Sequence, residues 1–245
     1  AEVWAILGLV GPAATIREVG LISENLQKPT DRADHVLRTQ RLFSMIAPVY
    51  DLMLARSMTR VYRMAVDLLL QTGLHASGSK RMPPAPTALD VGTGTGLFAS
   101  ELARSGFQVT AIDSCRAMMQ VARRRRPRAA DYIEAEAHLA SRQPGAPFDI
   151  VCTGMLLHGL PREYRVEVLV DMIQAARNAV VIVDYFPPPN PIAAAVERLE
   201  GSYYRGFLHE FGDDLAGATA NTLVHPLTAT CALYLVPLSP RPDSH

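Results

Sequence analysis

The chain has 245 residues, of which 49% are hydrophobic and 20% charged, and its formal net charge at pH 7 is zero. A chain of this length can bury one large core, and two full domains would each be small, so a single compact unit is predicted. The balanced charge gives no indication of a nucleic-acid partner.

Three cysteines, Cys115, Cys152 and Cys231, lie far apart. Their spacing argues against a metal site and a disulfide framework, and it favours a reducing, cytoplasmic compartment. The N-terminal stretch AEVWAILGLVGPAA is apolar but has no basic leader, and no apolar run reaches the length of a bilayer span. Neither a signal peptide nor stable membrane insertion is therefore predicted.

The first predicted elements are helical. Pro48 is expected to interrupt one helix, and a second helix is predicted to end near Gly73. Its apolar face is formed by Met58, Val61, Tyr62, Ala65 and Leu69. Residues 1–74 are predicted to be a helical segment and lid, joined by a Gly/Ser/Pro-rich linker to a ligand-binding domain of residues 87–245.

From residue 87 onward, short apolar runs alternate with amphipathic helical segments. The strands predicted in this part are Ala88–Val91, Gln108–Ile112, Asp131–Glu134, Asp149–Thr153 and Ala179–Asp184, and the helices are Leu97–Ser105, Arg116–Arg125 and Arg162–Arg177. This alternation predicts right-handed crossovers and a parallel sheet. Thr222–Leu227 and Thr230–Leu238 predict a C-terminal antiparallel hairpin, which gives an α/β, doubly wound, mostly parallel seven-stranded sheet.

The stretch TALDVGTGTGLFA, residues 87–99, places Gly92, Gly94 and Gly96 between a predicted strand and a predicted helix. A dinucleotide site needs a small residue at position 97, which is Leu here, and a P-loop needs a lysine that this loop lacks. Asp90 would repel a pyrophosphate but could hold an ammonium group. The loop is therefore predicted to bind a ligand with a positively charged end.

Asp113 ends the next predicted strand, about twenty residues after the first glycine, where a carboxylate can accept hydrogen bonds from both ribose hydroxyls. Together, the glycine loop and the two acids indicate a ligand that has a ribose and a cationic end but no phosphate. S-adenosylmethionine fits this description.

At these residues the sequence resembles the class I S-adenosylmethionine-dependent methyltransferases, over most of the chain from about Phe43. The resemblance implies that the glycine turn wraps the methionine part and that Asp113 binds the ribose. It also implies that Met118 packs on the adenine and that Glu136 accepts from the adenine amino group. The full set of implied cofactor contacts is Tyr50, Asp90, Gly92, Thr93, Gly94, Gly96, Asp113, Ser114, Met118, Glu136, Ala137 and Thr153.

The segment Phe43-Ser-Met-Ile-Ala-Pro-Val-Tyr-Asp51 resembles the F-x-x-x-A-x-x-Y-D segment of quinone-biosynthesis C-methyltransferases and their small-molecule relatives. By this resemblance Tyr50 lies over the cofactor as part of a lid.

His158 follows the fourth strand and Tyr185 follows the fifth, next to the position expected for the sulfonium. His158 is the candidate general base, with a backbone-bonded structural histidine as the alternative. Tyr185 is the second candidate catalytic residue and is expected to line the pocket, with a core aromatic as the alternative. Tyr203, Tyr204 and His209 are the candidate substrate contacts. An amphipathic helix packed on the sheet is the alternative for this region.

These predictions combine into an S-adenosylmethionine-dependent methyltransferase that acts on a small, partly apolar molecule by O- or C-methylation and releases S-adenosylhomocysteine. A protein that binds S-adenosylmethionine without transferring its methyl group is the alternative. The basic run at residues 123–128 is interpreted as a solvated helix end. The predicted partner is a small-molecule substrate, without nucleic acid, and a homodimer is allowed.

Overall fold

The computed structural model describes residues 32–75, 85–219 and 221–238. Within these ranges it describes the backbone but not the side chains of residues 32–36, 48–50, 53, 192, 199 and 200. The apolar N-terminus and most of the predicted linker lie outside the described residues.

The described strands form a seven-stranded sheet in the order β3-β2-β1-β4-β5-β7-β6. Their bounds are Thr87–Val91 (β1), Gln108–Asp113 (β2), Asp131–Glu134 (β3), Phe148–Gly154 (β4), Ala176–Tyr185 (β5), Leu223–Pro226 (β6) and Cys231–Pro237 (β7). β1 to β5 are parallel, and β7 pairs antiparallel with both β5 and β6. The predicted sheet and its C-terminal hairpin are thus confirmed.

Helices cover both faces of the sheet. Their bounds are Arg32–Thr72 (α1), Leu97–Arg104 (α2), Arg116–Arg125 (α3), Arg162–Ala175 (α4), Pro191–Glu200 (α5) and Tyr204–Ala218 (α6), with short 3₁₀ helices at Ala137–Arg142 and Leu157–Gly159. One core cluster joins α1, α2 and α3 to the sheet, and a second joins α4 and α6 to its other face. The strand order reverses between β1 and β4, and ligands bind at such a point in doubly wound sheets.

The first described segment, residues 32–75, is almost entirely one helix, Arg32–Thr72, where the sequence predicted two. Pro48 lies inside α1, although an interior proline costs about 3 kcal/mol because it removes a hydrogen-bond donor and crowds the preceding turn. Buried residues on both sides of it, Ile46, Ala47 and Asp51, hold α1 against the rest of the domain. The predicted end is confirmed, because Gly73 follows α1 with φ +72°.

The region between β5 and β6 contains α5 and α6. Phe207 and Phe211 of α6 are buried and stack with ring centroids 4.4 Å apart. The alternative of a packed amphipathic helix is therefore the correct one. Across the described ranges, no helix combines the length and the apolar character that a membrane crossing requires.

Candidate functional site

A cavity lies at the carboxyl ends of β1, β2 and β4, under the N-terminal part of α1. Its lining includes the glycine loop and Asp113 from the sheet side, and Gln40 and Phe43 from α1. His158, Glu197 and Ser202 lie at its other end. The cavity therefore brings together groups that lie far apart in the sequence, from Thr39 to Ser202.

The glycine loop lies at the first end of the cavity, and its backbone conformation favours glycine at three positions. Gly92, Gly94 and Gly96 all have positive φ, at +69°, +55° and +82°. A Cβ on Gly92 would lie 2.8 Å from Leu156 Cδ2, and one on Gly96 would lie 2.7 Å from the Tyr132 hydroxyl. At Gly94 the nearest atom to such a Cβ is Met118 Cε at 3.8 Å. Gly92 and Gly96 thus allow tight packing, while Gly94 leaves space on the cavity side.

The carboxyl group of Asp90 lies in the cavity wall, and only one of its two oxygens is hydrogen-bonded. Its Oδ2 accepts from the Thr93 hydroxyl at 2.7 Å and from the Ala99 backbone amide at 3.1 Å. Its Oδ1 is buried and has no hydrogen-bond partner among the described residues. Burial raises the pKa of Asp90 to about 7, against the hydrogen bonds from Thr93 and Ala99, and the charge of Asp113 raises it further. An unpaired buried carboxylate oxygen fits a cationic donor such as an ammonium group.

Asp113 connects the end of β2 to the glycine loop. Its Oδ2 accepts from the Gly94 amide at 2.8 Å, and its Oδ1 accepts from the Cys115 amide at 2.7 Å. Burial raises the pKa of this carboxyl, although both backbone hydrogen bonds oppose the shift. Each carboxylate oxygen has a further lone pair, so the side chain can still accept from a diol in the cavity.

The other predicted cofactor contacts fall into two groups. Thr93, Ser114, Met118 and Ala137 line the cavity. Gly96, Glu136 and Thr153 are not among the lining residues.

The structure does not support the predicted cofactor contact of Thr153. It is fully buried, and its hydroxyl donates to the Val91 carbonyl at 2.8 Å, so it joins β4 to β1 inside the sheet. The side chain of Glu136 is half-exposed, with its Oε2 3.2 Å from His138 Nδ1. The side chain of Tyr50 lies outside the described residues.

Helix α1 contacts the cofactor end of the cavity at two places. Near its start, the Gln40 amide donates to the Ser114 carbonyl at 3.1 Å. One turn further, the Ser44 hydroxyl lies 3.7 Å from Cys115 Sγ. These contacts place the N-terminal part of α1 directly over the loop that follows β2.

The second place is the glycine loop, which a buried ion pair joins to α1. Asp51 accepts from the Thr95 hydroxyl at 2.6 Å and from Arg126 Nη1 at 2.8 Å, and Arg126 also donates to the Thr95 carbonyl. Burial raises the pKa of Asp51, but hydrogen bonds from Thr95, Arg126 and Arg125 outweigh this and leave it lowered. The basic run is therefore only partly a solvated helix end, because Arg126 fastens α1 to the glycine loop. No sequence motif indicates this pairing, because Asp51 and Arg126 are 75 residues apart.

At the far end of the cavity, His158 lies between two carboxylates. Its Nδ1 is 2.7 Å from Asp184 Oδ1, and its Nε2 is 3.3 Å from Glu197 Oε2. Burial lowers the pKa of His158, but the charges of Asp184 and Glu197 and the hydrogen bond with Asp184 raise it well above its usual value. A histidine held in its cationic form has no free nitrogen lone pair, which argues against the general-base role predicted for His158.

Tyr185 supports this cluster from below and does not line the cavity. Its hydroxyl donates to Glu197 Oε1 at 2.8 Å, and its ring packs edge-on against His158 with centroids 4.7 Å apart. Burial and the nearby carboxylates raise the pKa of Tyr185 far above its usual value, so it stays protonated. The structure thus places Tyr185 against His158 and Glu197, and its role in catalysis stays a prediction.

The three predicted substrate residues do not line the cavity. Tyr204 is buried, and its hydroxyl accepts from the Asn190 amide at 3.0 Å. His209 is exposed on α6, and Tyr203 is half-buried, with its amide donating to the His158 carbonyl at 3.1 Å. Tyr203 directly precedes α6, Tyr204 faces the core and His209 is exposed, so a substrate contact by these residues stays a prediction. Tyr164, Gly201 and Ser202 line this end of the cavity instead.

Comparisons with known proteins agree with this architecture. Residues 88–179 match the family model of a methyltransferase domain. A ubiquinone biosynthesis O-methyltransferase of Xanthomonas campestris is 39% identical over 79 residues, which are 31% of this chain and 33% of that protein. The chain therefore spans about a third of the length of that curated relative.

Two solved structures share the fold at low sequence identity. The complex of DhpI with SAH has a TM-score of 0.62 at 14% identity, over 87% of this chain and 100% of that one. A magnesium protoporphyrin IX methyltransferase from Synechocystis PCC 6803 with bound SAH has a TM-score of 0.53 at 17% identity, over 77% of this chain and 85% of that one. The described chain has the Rossmann-like fold of these methyltransferase structures.

Proposed function

We propose that this chain, whose residues 88–179 match a methyltransferase domain, is an S-adenosylmethionine-dependent methyltransferase of a small molecule. The observation that carries the proposal is the unpaired, buried Oδ1 of Asp90 beside a glycine loop that lines a cavity. A buried carboxylate oxygen without a partner is costly, and a ligand ammonium group would satisfy it.

The residues present fit S-adenosylmethionine along the length of the cavity. Asp90 would hold the ammonium group, Gly94 would give room to the methionine part, and Asp113 would accept from the ribose hydroxyls. Met118 and Ala137, both lining residues, would contact the adenine. When bound, S-adenosylmethionine supplies an electrophilic methyl group on a sulfonium.

The chain's own contribution to the transfer is alignment and exclusion of water. Helix α1 covers the cavity through Gln40 and Phe43, and the pairing of Asp51 with Arg126 holds it in place. The acceptor would occupy the end lined by Tyr164, Ser202 and Glu197. This end has both apolar and polar walls, which suits a partly apolar acceptor. The O-methyltransferase relative supports the same class of acceptor.

A labelled-methyl assay tests the proposal. The purified chain is incubated with S-adenosylmethionine carrying a ¹³C-methyl group and a panel of phenols, anilines and their methylated counterparts. Transfer of label to a small molecule, with formation of S-adenosylhomocysteine, is expected. Tight binding of S-adenosylmethionine without transfer to any acceptor would support the alternative of a binding protein that does not transfer methyl.

A further inference from the structure

We infer that Glu197 contacts the methyl acceptor through its Oε2 atom, and that the reacting atom of the acceptor carries an O–H or N–H which donates to Glu197. This inference rests on the proposed function and narrows it, because it selects a heteroatom acceptor over a carbon acceptor. It also replaces His158 with Glu197 as the group that receives the acceptor proton.

The geometry of Glu197 leaves one oxygen for a ligand. The residue is only 5% exposed, lies in α5 and lines the cavity. Its Oε1 accepts from the Tyr185 hydroxyl at 2.8 Å. Its Oε2 has no hydrogen-bond partner among the described residues, and its 3.3 Å approach to His158 Nε2 is an ion pair without hydrogen-bond alignment. A buried polar atom of this kind is rare without a ligand or water to satisfy it.

The neighbours of Glu197 keep it ionised and fixed. Burial raises its pKa, but the charge of His158 and the hydrogen bond from the Tyr185 hydroxyl hold it well below its usual value. Asp184 in turn anchors His158 from the other side, where it also accepts from the amides of Leu157 and His158. The carboxylate therefore stays an acceptor, and its orientation is set before any ligand arrives.

The transfer balances with Glu197 as proton acceptor. A lone pair on the acceptor oxygen or nitrogen forms the bond to the methyl carbon, and the electron pair of the methyl–sulfur bond remains on sulfur. The acceptor atom becomes positive, so its proton passes to Glu197 Oε2 and later to solvent. A carboxylate is a weak base, but the proton on a methylated, positively charged oxygen is a much stronger acid.

His158 and Tyr185 are positioning residues in this arrangement. His158 balances the charge of Glu197, and Tyr185 fixes its second oxygen, so neither needs to contact the acceptor.

The experiment compares the wild-type chain with Glu197→Gln in the ¹³C-methyl assay with the phenol and aniline panel. NMR of the product is expected to show the new methyl group on oxygen or nitrogen. Glu197→Gln is expected to lower kcat about 100- to 1,000-fold, since it keeps the shape but removes the proton acceptor. Glu197→Asp shortens the side chain by one C–C bond, about 1.5 Å. Its kcat is expected to lie between those of wild type and Glu197→Gln.

Two controls separate this role from a structural one. Calorimetric titration of S-adenosylhomocysteine is expected to give Kd values for Glu197→Gln and wild type that agree within about twofold. Glu163→Gln, an exposed glutamate of α4, serves as the matched control and is expected to behave as wild type in both assays.

Three outcomes would overturn the inference: undiminished kcat in Glu197→Gln, a methyl group transferred to carbon, or no turnover of any phenol or aniline by a chain that binds S-adenosylmethionine. Failure of the wild-type chain to bind S-adenosylmethionine would instead overturn the proposed function itself.

Discussion

Replacing Asp90 by asparagine is expected to stabilise the ligand-free protein and to weaken ligand binding. Asparagine keeps an oxygen for the Thr93 hydroxyl and the Ala99 amide, and it removes a charge that has no partner on its other oxygen. The residue is 1% exposed, so solvent does little to relieve this charge. Asp90 is thus a position where function and stability oppose each other.

The magnitude follows from the pKa of Asp90. The unfolded chain releases this proton near 3.8 and the folded chain near about 7, so the folded state binds the extra proton between these values. Stability therefore falls as the pH rises through this window, and the full cost is present above it. At 1.36 kcal/mol per pH unit, that cost is about 4 kcal/mol near pH 8 and about 2 kcal/mol near pH 5.

Urea unfolding of the wild type and Asp90→Asn, without ligand, measures the difference. The variant is expected to be the more stable by about 4 kcal/mol near pH 8, with the gain halved near pH 5. Its affinity for S-adenosylmethionine is expected to fall by about 10- to 100-fold, the value of one charge-assisted hydrogen bond. A variant that is less stable than wild type near pH 8, or that binds the ligand equally well, would refute this reasoning.

Three further substitutions test other parts of the site. Gly96→Ala places a Cβ 2.7 Å from the Tyr132 hydroxyl at φ +82°, and in urea unfolding it is expected to lose about 1–3 kcal/mol more than Gly106→Ala, which has φ +92° but open space around it. Asp51→Asn is expected to loosen α1 and to speed release of S-adenosylhomocysteine in stopped-flow measurements. In wild type the contribution of Asp51 should be present above pH 3.8 and be lost as the pH falls through its lowered folded-state pKa, so a variant with unchanged release would contradict the fastening role. His158→Gln leaves two buried carboxylates without their cation and is expected to cost about 3–5 kcal/mol in urea unfolding, whereas a neutral effect would show that His158 is not charged.

The cofactor end of the site could be predicted from sequence because its residues are local. Asp90 and the glycines lie within one strand-loop-helix unit, and Asp113 ends the adjacent strand, so the parallel sheet brings them together. The alternation of strands and helices is also a local pattern in the sequence, and it predicted the parallel sheet. The predicted helix break at Pro48 was wrong, because helix propensity does not account for the buried residues on both sides of Pro48 that keep α1 continuous.

The acceptor end could not be predicted because it depends on contacts between distant segments. Glu197 lies in a helix without a motif, 39 residues after His158, and only the fold brings the two side chains together. The charge on His158 depends on both carboxylates around it, so its residue type alone could not indicate its protonation state. Thr153 lies at a strand end, but its hydroxyl is used inside the sheet.

The most direct test of the central claim is calorimetric titration of S-adenosylmethionine and S-adenosylhomocysteine into the wild-type chain and into Asp113→Ala. Both ligands are expected to bind the wild type at one site. Binding is expected to be lost in the variant, which removes the ribose acceptor and both backbone hydrogen bonds that shape the loop. A folded wild-type chain that binds neither ligand would contradict the proposed function.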